Sequence, residues 1–448
     1  MDRVVSVVGA GLAGSECALQ LARRGVRVRL FEQRPAHGSP AHHTDRFAEL
    51  VCSNSLKSTK DDSAAGLLKH ELDALGCALL PVARACAVPA GGALAVDRDA
   101  FSSRVTELIE TNPLIEVRRE EVTGIPEGPC VVAAGPLCSD ALFEAVSSAV
   151  GGERMSFFDA AAPIVSAESV DRSVVFEQSR YGEAGSGDYL NCPMTREEYE
   201  AFMDALLSAG RVIARDFEQA DLFCACQPVE EVARTGRDSL RFGALKPVGL
   251  TDPRTGRRPW AAVQLRAETS ARSAYNLVGF QTNLTWPEQR RVFRMIPGLG
   301  GAEFLRYGVM HRNSFVDAPR ALDRTFKIPG TQARLAGQIT GTEGYVEAIA
   351  SGLLAALNTC ADLLGAPVVT LPATGALGSL VAYATDPATT GYQPMHVNFG
   401  LFPPLEEHIR NKAERRAAMV ARARADLDAY LASREDLGLG AAAPGDRA

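Results

Sequence analysis

Long apolar runs are missing from this sequence of 448 residues, which contains no stretch of eighteen consecutive apolar residues. A helix needs about twenty such residues to cross a bilayer, so we expect no membrane span and no membrane partner. The first residues, Met1-Asp2-Arg3, lead directly into a strand-like run without an apolar signal region or cleavage site. We therefore expect no secretory signal and a cytoplasmic location.

The sequence also lacks the cysteine spacing of a disulfide framework or a structural zinc site. Its ten cysteines are scattered, which in a chain of this length without a signal predicts reduced thiols. Cys224 and Cys226 form a close pair, but no second pair follows at zinc spacing, so we predict no metal site. Four cysteines lie in apolar elements and are expected to be small buried side chains: Cys17, Cys77, Cys130 and Cys360.

Charge is distributed unevenly along a chain whose composition, 46% hydrophobic and 23% charged, is typical of a globular enzyme. Its length predicts about two to four domains. The net charge is −7, yet the segment from Arg234 to Lys327 contains 17 Lys and Arg against 7 Asp and Glu, which leaves −17 for the rest. A basic segment over 234–327 is the expected footprint of a nucleic acid, although an Arg-rich solvated surface has the same composition.

The N-terminal residues have the pattern strand, glycine-rich turn, helix, strand. A β-branched run ends at Gly9, a helical pattern follows Gly14, and a second strand-like run ends at Glu32. In a dinucleotide site Gly9 permits the tight turn, Gly11 admits the pyrophosphate, and Gly14 lets helix and strand pack closely. A carboxylate at Glu32 is placed to bind a ribose hydroxyl. The predicted cofactor-binding residues here are Gly9, Ala10, Gly11, Leu12, Ala13, Gly14 and Glu32.

A second glycine-rich segment, with Gly337 and Gly341, lies much later in the chain and is a further candidate for cofactor binding. A dinucleotide-binding domain that is split and closed by a late strand-helix unit is the layout of flavoproteins, which favours FAD over NAD. We therefore predict the α/β class, with an FAD-binding Rossmann-type domain of the two-dinucleotide-binding-domain flavoprotein kind and an inserted α/β domain.

The pattern of strand-like and helical pieces changes near residue 153, and this change predicts that a new domain begins there. The predicted parts are an FAD-binding domain in two pieces, 1–152 and 329–403, an inserted substrate- and RNA-binding domain at 153–328, a C-terminal helix at 404–437 and a disordered tail at 438–448. A buried strand is expected from Cys130 and a helix from Val346 to Leu364. The run from Pro404 to Ser433 predicts one long amphipathic helix.

Six motifs, in order and nearly without gaps from residue 3 to about residue 410, resemble one family, the folate- and FAD-dependent tRNA (uracil-5-)-methyltransferases. They are VVGAGLAGSE at 7–16, LVCSNSLKS at 50–58, CQPVEE at 226–231, YNLVGFQT at 275–282, HRNSF at 311–315 and AGQITGTEGY at 336–345. The resemblance implies transfer of a one-carbon unit from methylenetetrahydrofolate to C5 of the T-loop uridine of tRNA. It also implies that reduced FAD gives the hydride and that NADH or NADPH regenerates the reduced flavin.

The family's paired cysteines match Cys226 and Cys52. Uracil C5 becomes nucleophilic only after a thiolate adds at C6, and the resemblance implies Cys226 for this addition and Cys52 as the assisting thiol or base, with the reverse assignment open. Both lie in polar loops, where Arg side chains and helix N-termini are expected to lower the thiol pKa. The additional thiol of Cys224 leaves open which one is active in its loop. His311 is a candidate base, folate contact or structural histidine.

Three other functions remain open at this point. The same methyl transfer on a ribosomal RNA uridine uses the same residues, whereas the related flavoprotein that modifies wobble uridines matches the two cysteine loops poorly. A non-catalytic flavin-containing RNA-binding protein is the third. The expected partners are tRNA along 234–327, folate and NADH or NADPH, and the sequence does not determine the oligomeric state.

Overall fold

The computed structural model describes residues 4–39, 41–152, 155–182, 187–213, 227–434 and 436. Cys224, Cys226 and the predicted tail at 438–448 lie outside the described residues. The strands are β1 Val4–Val8, β2 Arg27–Phe31, β3 Ser55–Ser58, β4 Ala87–Val88, β5 Ala93–Val96, β6 Ile115–Arg118, β7 Cys130–Val132, β8 Met155–Ala160, β9 Ile164–Ser166, β10 Phe176–Glu177, β11 Tyr189–Met194, β12 Ala261–Ala267, β13 Ala274–Leu277, β14 Phe304–Arg306, β15 Met310–Phe315 and β16 Ala333–Leu335. The helices are α1 Leu12–Arg23, α2 Ala64–Ala74, α3 Leu79–Ala85, α4 Arg98–Glu110, α5 Asp140–Val150, α6 Arg196–Leu207, α7 Val229–Arg234, α8 Ser239–Phe242, α9 Trp286–Phe293, α10 Ala318–Ala321, α11 Tyr345–Leu364, α12 Ala376–Thr385 and α13 Lys412–Ala432.

A five-stranded sheet in the order β16-β7-β1-β2-β6 is parallel throughout. Strands β1 and β7 are rich in valine and largely buried, as expected for the central strands of a sheet covered by helices on its faces. The late strand β16 pairs with β7, with Ala333 opposite Cys130 and Leu335 opposite Val132. The strand predicted from Cys130 is confirmed, and Leu335 returns the chain to the first sheet.

Helix α11 packs against α1 at very short range. A Cβ built on Gly352 would lie 2.1 Å from the carbonyl oxygen of Ala13, so only glycine allows this approach. The predicted helix from Val346 is confirmed and begins one residue earlier. By length and apolar composition α11 could cross a membrane, but 89% of its apolar window is buried inside the protein, the setting of a core helix.

The second large sheet has six strands in the order β10-β11-β12-β13-β9-β14, all antiparallel. Its core is formed with helices α6 and α9, whose buried side chains include Phe202 and Phe293. A separate two-stranded ribbon pairs β8 with β15 and places His311 opposite Asp159. The ribbon brings residues far apart in sequence to the edge of the first sheet, where Ser314 N–H donates to the Pro136 carbonyl at 3.0 Å.

The C-terminal helix is shorter than predicted. It begins at Lys412 rather than Pro404, because the Asn411 side chain accepts from the N–H groups of Ala413 at 2.9 Å and Glu414 at 3.4 Å and so caps its first turn. The predicted domain boundaries at residues 152, 328, 403 and 437 stay predictions.

Candidate active site

A cavity of about 440 Å³ opens where the strands of the parallel sheet end. Gly9 follows β1, Glu32 follows β2, Ala133 follows β7 and Gly337 lies just beyond β16, and all four line the cavity. Ligands of open parallel sheets bind at this edge, because the carboxyl ends of neighbouring strands and the N-termini of the following helices meet there. Of the other predicted residues, Gly11, Leu12, Ala13 and Cys52 also line it.

The glycines of the first turn have three different environments. Gly9 has φ +97°, and a Cβ on it would lie 2.5 Å from the Cα of Ala134. A Cβ on Gly14 would lie 1.8 Å from the Gly9 carbonyl oxygen, so Gly14 serves the packing of helix against turn. At Gly11 no atom lies within 4 Å of such a Cβ, and the space faces the cavity.

The N-terminus of α1 faces this space without a side-chain cap, since Gly11 is its N-cap residue. Its N–H groups and the positive end of the helix dipole therefore fit an anion such as a pyrophosphate. Ala10, Gly14 and Gly341 do not line the cavity. Ala10 N–H donates to Glu32 Oε2 at 3.0 Å, and Gly341 packs against Tyr392, whose hydroxyl would lie 2.3 Å from an added Cβ.

Glu32 is buried and is held by a residue that the sequence did not suggest. Arg34 donates from Nε at 2.9 Å and from its backbone N–H at 3.1 Å to Glu32 Oε1, and also pairs with Glu49 at 3.1 Å. Burial alone would raise the pKa of Glu32, but the bonds from Arg34 and Ala10 outweigh it and hold the pKa below its usual value. The carboxylate therefore stays ionised as an acceptor at the cavity wall.

Cys52 lines the same cavity, in contact with Tyr345 at the start of α11. Its Sγ is 3.0 Å from the Tyr345 hydroxyl, which also accepts from the N–H groups of Cys52 at 2.9 Å and Ser53 at 3.1 Å. Burial, reinforced by Asp159, raises the pKa of the Cys52 thiol to about 12 and outweighs the opposing effects of Tyr345 and Arg98. The expected lowering of this pKa is wrong, because the loop is polar in composition but enclosed.

The β8–β15 ribbon contributes three polar side chains to the same wall. His311 Nε2 lies 3.8 Å from Asp159 Oδ2, and Asn313 Nδ2 donates to the same oxygen at 3.5 Å. His311 Nδ1 and Asn313 Oδ1 are buried without a hydrogen-bond partner among the described residues. Buried polar atoms are normally satisfied, whereas these two residues, which line the cavity, each retain one polar atom without a partner among the described residues.

Glu343 completes this polar wall. It is buried beside Gln338, which donates to its Oε1, while Oε2 has no partner among the described residues. Burial and the nearby Asp159 raise the pKa of Glu343 to about 8. Sequence reasoning missed this residue together with Arg34, Asp159, Asn313 and Tyr345, although three of them lie inside the motifs at 311–315 and 336–345.

The segment that contains Cys226 is attached at both ends to residues 281–283. Before it, Val212 N–H donates to the Asn283 carbonyl at 2.8 Å, and after it Val229 N–H donates to the Gln281 carbonyl at 2.7 Å. Gln281 itself lines the cavity. The two ends of the segment that contains the predicted nucleophile are therefore fixed beside the cavity.

A buried carboxyl group, Glu230, holds this attachment. It accepts from the N–H of Asn283 at 2.6 Å and the hydroxyl of Thr282 at 2.9 Å. Burial raises the pKa of Glu230 to about 7.

The basic segment 234–327 divides into inward and outward residues. Arg266 is buried and donates to Asn54 Oδ1 at 2.8 Å, and Arg306 donates to the Ala41 carbonyl at 2.8 Å. Several exposed arginines are paired with carboxylates, such as Arg237 with Asp204 at 2.8 Å. Others, including Arg257 and Arg258, lie in an exposed turn before β12. Only part of the segment's charge is therefore available to a polyanion.

Among the described residues, no group of three or more His, Cys, Asp or Glu side chains is arranged to hold a metal ion. The cysteines predicted to be small core residues, Cys17, Cys77, Cys130 and Cys360, are all buried, which confirms that prediction.

Comparison with known proteins gives consistent results over nearly the whole chain. The family model described as glucose inhibited division protein A matches residues 4–367. The methylenetetrahydrofolate–tRNA-(uracil-5-)-methyltransferase TrmFO of Geobacter sulfurreducens is 56% identical over 435 residues, 97% of this chain and 100% of that protein. The protein of the same name from Moorella thermoacetica is 53% identical over 425 residues, 94% of this chain and 97% of that protein.

Among solved structures, GidA of Aquifex aeolicus in its form II crystal superposes with a TM-score of 0.68 at 16% identity, over 97% of this chain and 74% of that chain. At this identity the likeness concerns the fold. The predicted class, an α/β fold of the FAD-binding flavoprotein type, is confirmed.

Proposed function

Because the chain belongs to the family of methylenetetrahydrofolate–tRNA-(uracil-5-)-methyltransferases, we propose that it methylates C5 of the T-loop uridine in tRNA with methylenetetrahydrofolate as carbon donor. The observation that carries this proposal is a single cavity that joins the glycine turn at Gly11 to the enclosed thiol of Cys52. Methyl transfer with a flavin needs these two parts at one place.

FAD fits the part of the cavity around the glycine turn at Gly11. The open space at Gly11 and the uncapped N-terminus of α1 suit the pyrophosphate, and the ionised Glu32 suits a ribose hydroxyl. Gly337, with φ +81°, brings the second glycine-rich turn to the same wall. When bound and reduced by NADH or NADPH, FAD supplies the hydride that completes the methyl group.

The reaction at uracil requires a nucleophile and a base from the chain. In this proposal Cys226 Sγ adds to C6, and the electron pair moves to C5, which bonds to the methylene carbon as one of that carbon's two bonds to folate nitrogen breaks. A base then removes the C5 proton, and the electron pair forms the exocyclic double bond as the second bond to folate nitrogen breaks. Hydride addition to this methylene restores the C5–C6 double bond and expels the Cys226 thiolate. The described residues on either side of its segment are hydrogen-bonded to 281–283, and Gln281 lines the cavity, which supports this role for Cys226.

Cys52 and Tyr345 act on the proton. With its pKa near 12 the Cys52 thiol is protonated at neutral pH, so it acts as a base only through its small thiolate fraction, which the Tyr345 hydroxyl at 3.0 Å stabilises by hydrogen bonding. A thiolate formed here is strongly basic, which suits removal of the C5 proton. We assign contact with the folate ring to His311 and Asn313, because both line the cavity and each has a polar atom without a partner among the described residues.

The relatives' names give tRNA as the substrate, and they do not favour ribosomal RNA or a non-catalytic protein. The same proposal assigns the chain to the cytoplasm, where tRNA is modified.

Isotope transfer tests the proposal. We expect label from ¹⁴C-methylenetetrahydrofolate in 5-methyluridine of a tRNA transcript, and none from methyl-labelled S-adenosylmethionine. The reverse result refutes it. A T-arm RNA with 5-fluorouridine at the target traps the adduct, because fluorine cannot leave C5 as a proton does. Mass analysis should find it on the Cys226 peptide; an adduct on Cys52 reverses the two roles, and one on Cys224 changes the nucleophile.

A further inference from the structure

Three aromatic rings form a stack at the surface of the antiparallel sheet. The rings of Trp286 and Tyr307 are 5.4 Å apart at 14°, and those of Tyr307 and Phe304 are 5.3 Å apart at 11°. Phe304 packs against the core, whereas Trp286, at the outer end, is 58% exposed. We call these residues the aromatic stack. Its outermost ring has one face on Tyr307 and the other side towards solvent.

The stack is held rigidly before anything binds. Arg290 donates from Nη2 at 2.7 Å and from Nε at 3.1 Å to the Tyr307 hydroxyl. The Gln289 side chain exchanges two hydrogen bonds with the backbone of Gly308, at 2.8 and 2.9 Å. The ring of Tyr307 is therefore fixed on both sides, and a flat ligand on Trp286 meets a preformed surface at little entropic cost.

Positive charge surrounds the stack. Helix α9 contains Arg290 and Arg291, and Arg294 is its C-cap residue; all three are exposed. Glu288 is paired with Arg291, so the net charge of this helix and its cap is positive. A ring face beside arginines suits a base with its phosphates, since stacking and charge attraction act on one nucleotide.

The position of the stack points to the substrate of the proposed reaction. Trp286 lies two residues after Leu284, which bridges to Arg211 just before the segment with Cys226. Tyr307 lies on the short connection between β14 and β15, the strand that carries His311 to the cavity. The stack is therefore attached both to the supports of the Cys226 segment and to the cavity wall.

We propose that the aromatic stack binds an unpaired base of the RNA substrate, a neighbour of the uridine that enters the cavity. This inference rests on the proposed function, because it takes RNA as the substrate. A neighbouring base stacked on Trp286 fixes the strand outside the cavity while the target uridine leaves its own stack.

Binding and single-turnover methylation of a T-arm hairpin RNA test the inference. One stacked base contributes about 1–3 kcal/mol, so we expect Trp286→Ala to raise Kd about 5- to 150-fold with little change in kcat at saturating RNA. Trp286→Phe keeps a ring face and should bind within about twofold of wild type. Phe242→Ala is the matched control, because Phe242 is exposed and lies 5.7 Å from Arg241 but belongs to no described ring stack. An RNA duplex of equal length without unpaired bases should bind wild type and Trp286→Ala equally.

The outcomes separate this inference from the function itself. If wild type methylates the hairpin and Trp286→Ala binds it as tightly, the inference is wrong. It is also wrong if Phe242→Ala weakens binding as much. If wild type methylates no RNA, the proposed function fails, whatever Trp286→Ala does. Flavin absorbance reports whether each variant is folded. Tyr307→Leu removes the ring below Trp286 and should weaken RNA binding as Trp286→Ala does.

Discussion

The glycine turn and the polar wall around Cys52 face the same cavity, but they are built in opposite ways. At the turn, Gly9 and Gly14 act by leaving no side chain, and both come from one short stretch of chain. At the wall, Cys52, Asp159 and Tyr345 come from three distant parts of the sequence and meet only because sheets and helices pack. The first surface is a property of the backbone, and the second is a property of tertiary structure.

The two surfaces therefore differ in what a substitution removes. A side chain added to the turn fills space that a ligand or another backbone needs, so binding or packing fails sterically. A side chain removed from the wall leaves the cavity and its cofactor surface in place and takes away one chemical group. Flavin content and turnover separate the two kinds of damage.

The largest effect is expected at the turn. Gly11→Val should leave a folded protein without detectable flavin, because the added side chain occupies open space at the anion site. Gly14→Val should lose flavin and also lower Tm, since its Cβ would lie 1.8 Å from the Gly9 oxygen. Flavin absorbance and thermal unfolding measure both, with Gly124→Val as control, where no atom lies within 4 Å. Full flavin content in Gly11→Val would contradict the assignment.

At the wall, Cys52→Ala should keep its flavin and lose turnover by about 10²- to 10⁴-fold, the usual contribution of a positioned acid or base. The measurement is the single-turnover rate at saturating RNA and folate. Cys86→Ala serves as control, because Cys86 is half-buried and does not line the cavity. Turnover within threefold of wild type, a difference of about RT in activation free energy, would show that Cys52 takes no part in the chemistry.

A smaller effect is expected at the basic surface, which belongs neither to the glycine turn nor to the polar wall. Reversing Arg257 and Arg258 to Glu should weaken RNA binding and reduce the slope of log K against log salt by about 2, since each phosphate contact contributes nearly one counterion. Flavin absorbance should not change. The double reversal of Arg27 and Arg104, exposed arginines outside the basic segment, is the control. If the two pairs behave alike, residues 234–327 are an ordinary charged surface.

The smallest effect concerns stability and Glu230. Burial raises its folded-state pKa to about 7, so the folded protein holds a proton that the unfolded chain releases near pH 4.5, the ordinary pKa of a glutamate. The free energy of unfolding should therefore fall as pH rises from about 4.5 to 7, by on the order of 3 kcal/mol from this group. Urea unfolding at pH 5 and pH 8 should show the fall in wild type and a smaller one in Glu230→Gln. The exposed Glu303→Gln should match wild type, and an unchanged fall in Glu230→Gln would contradict this account.

The same contrast explains which parts of the fold and of the site the sequence predicts. The glycine turn, the strand from Cys130 and the helix from Val346 were predicted correctly, because turn geometry and apolar periodicity are local. The enclosure of Cys52 was not, since the polar loop gives no sign that Tyr345 and Asp159 cover it. The pattern from Pro404 predicts a start eight residues too early for the C-terminal helix, whose first turn is set by the cap at Asn411.

The close crossing of α1 and α11 has a mechanical consequence. Ala13 and Gly352 touch backbone to backbone, and Tyr345, at the start of the same helix, touches Cys52. The glycine turn and the Cys52 loop therefore both contact α11, so a displacement of this helix would shift both surfaces of the cavity together.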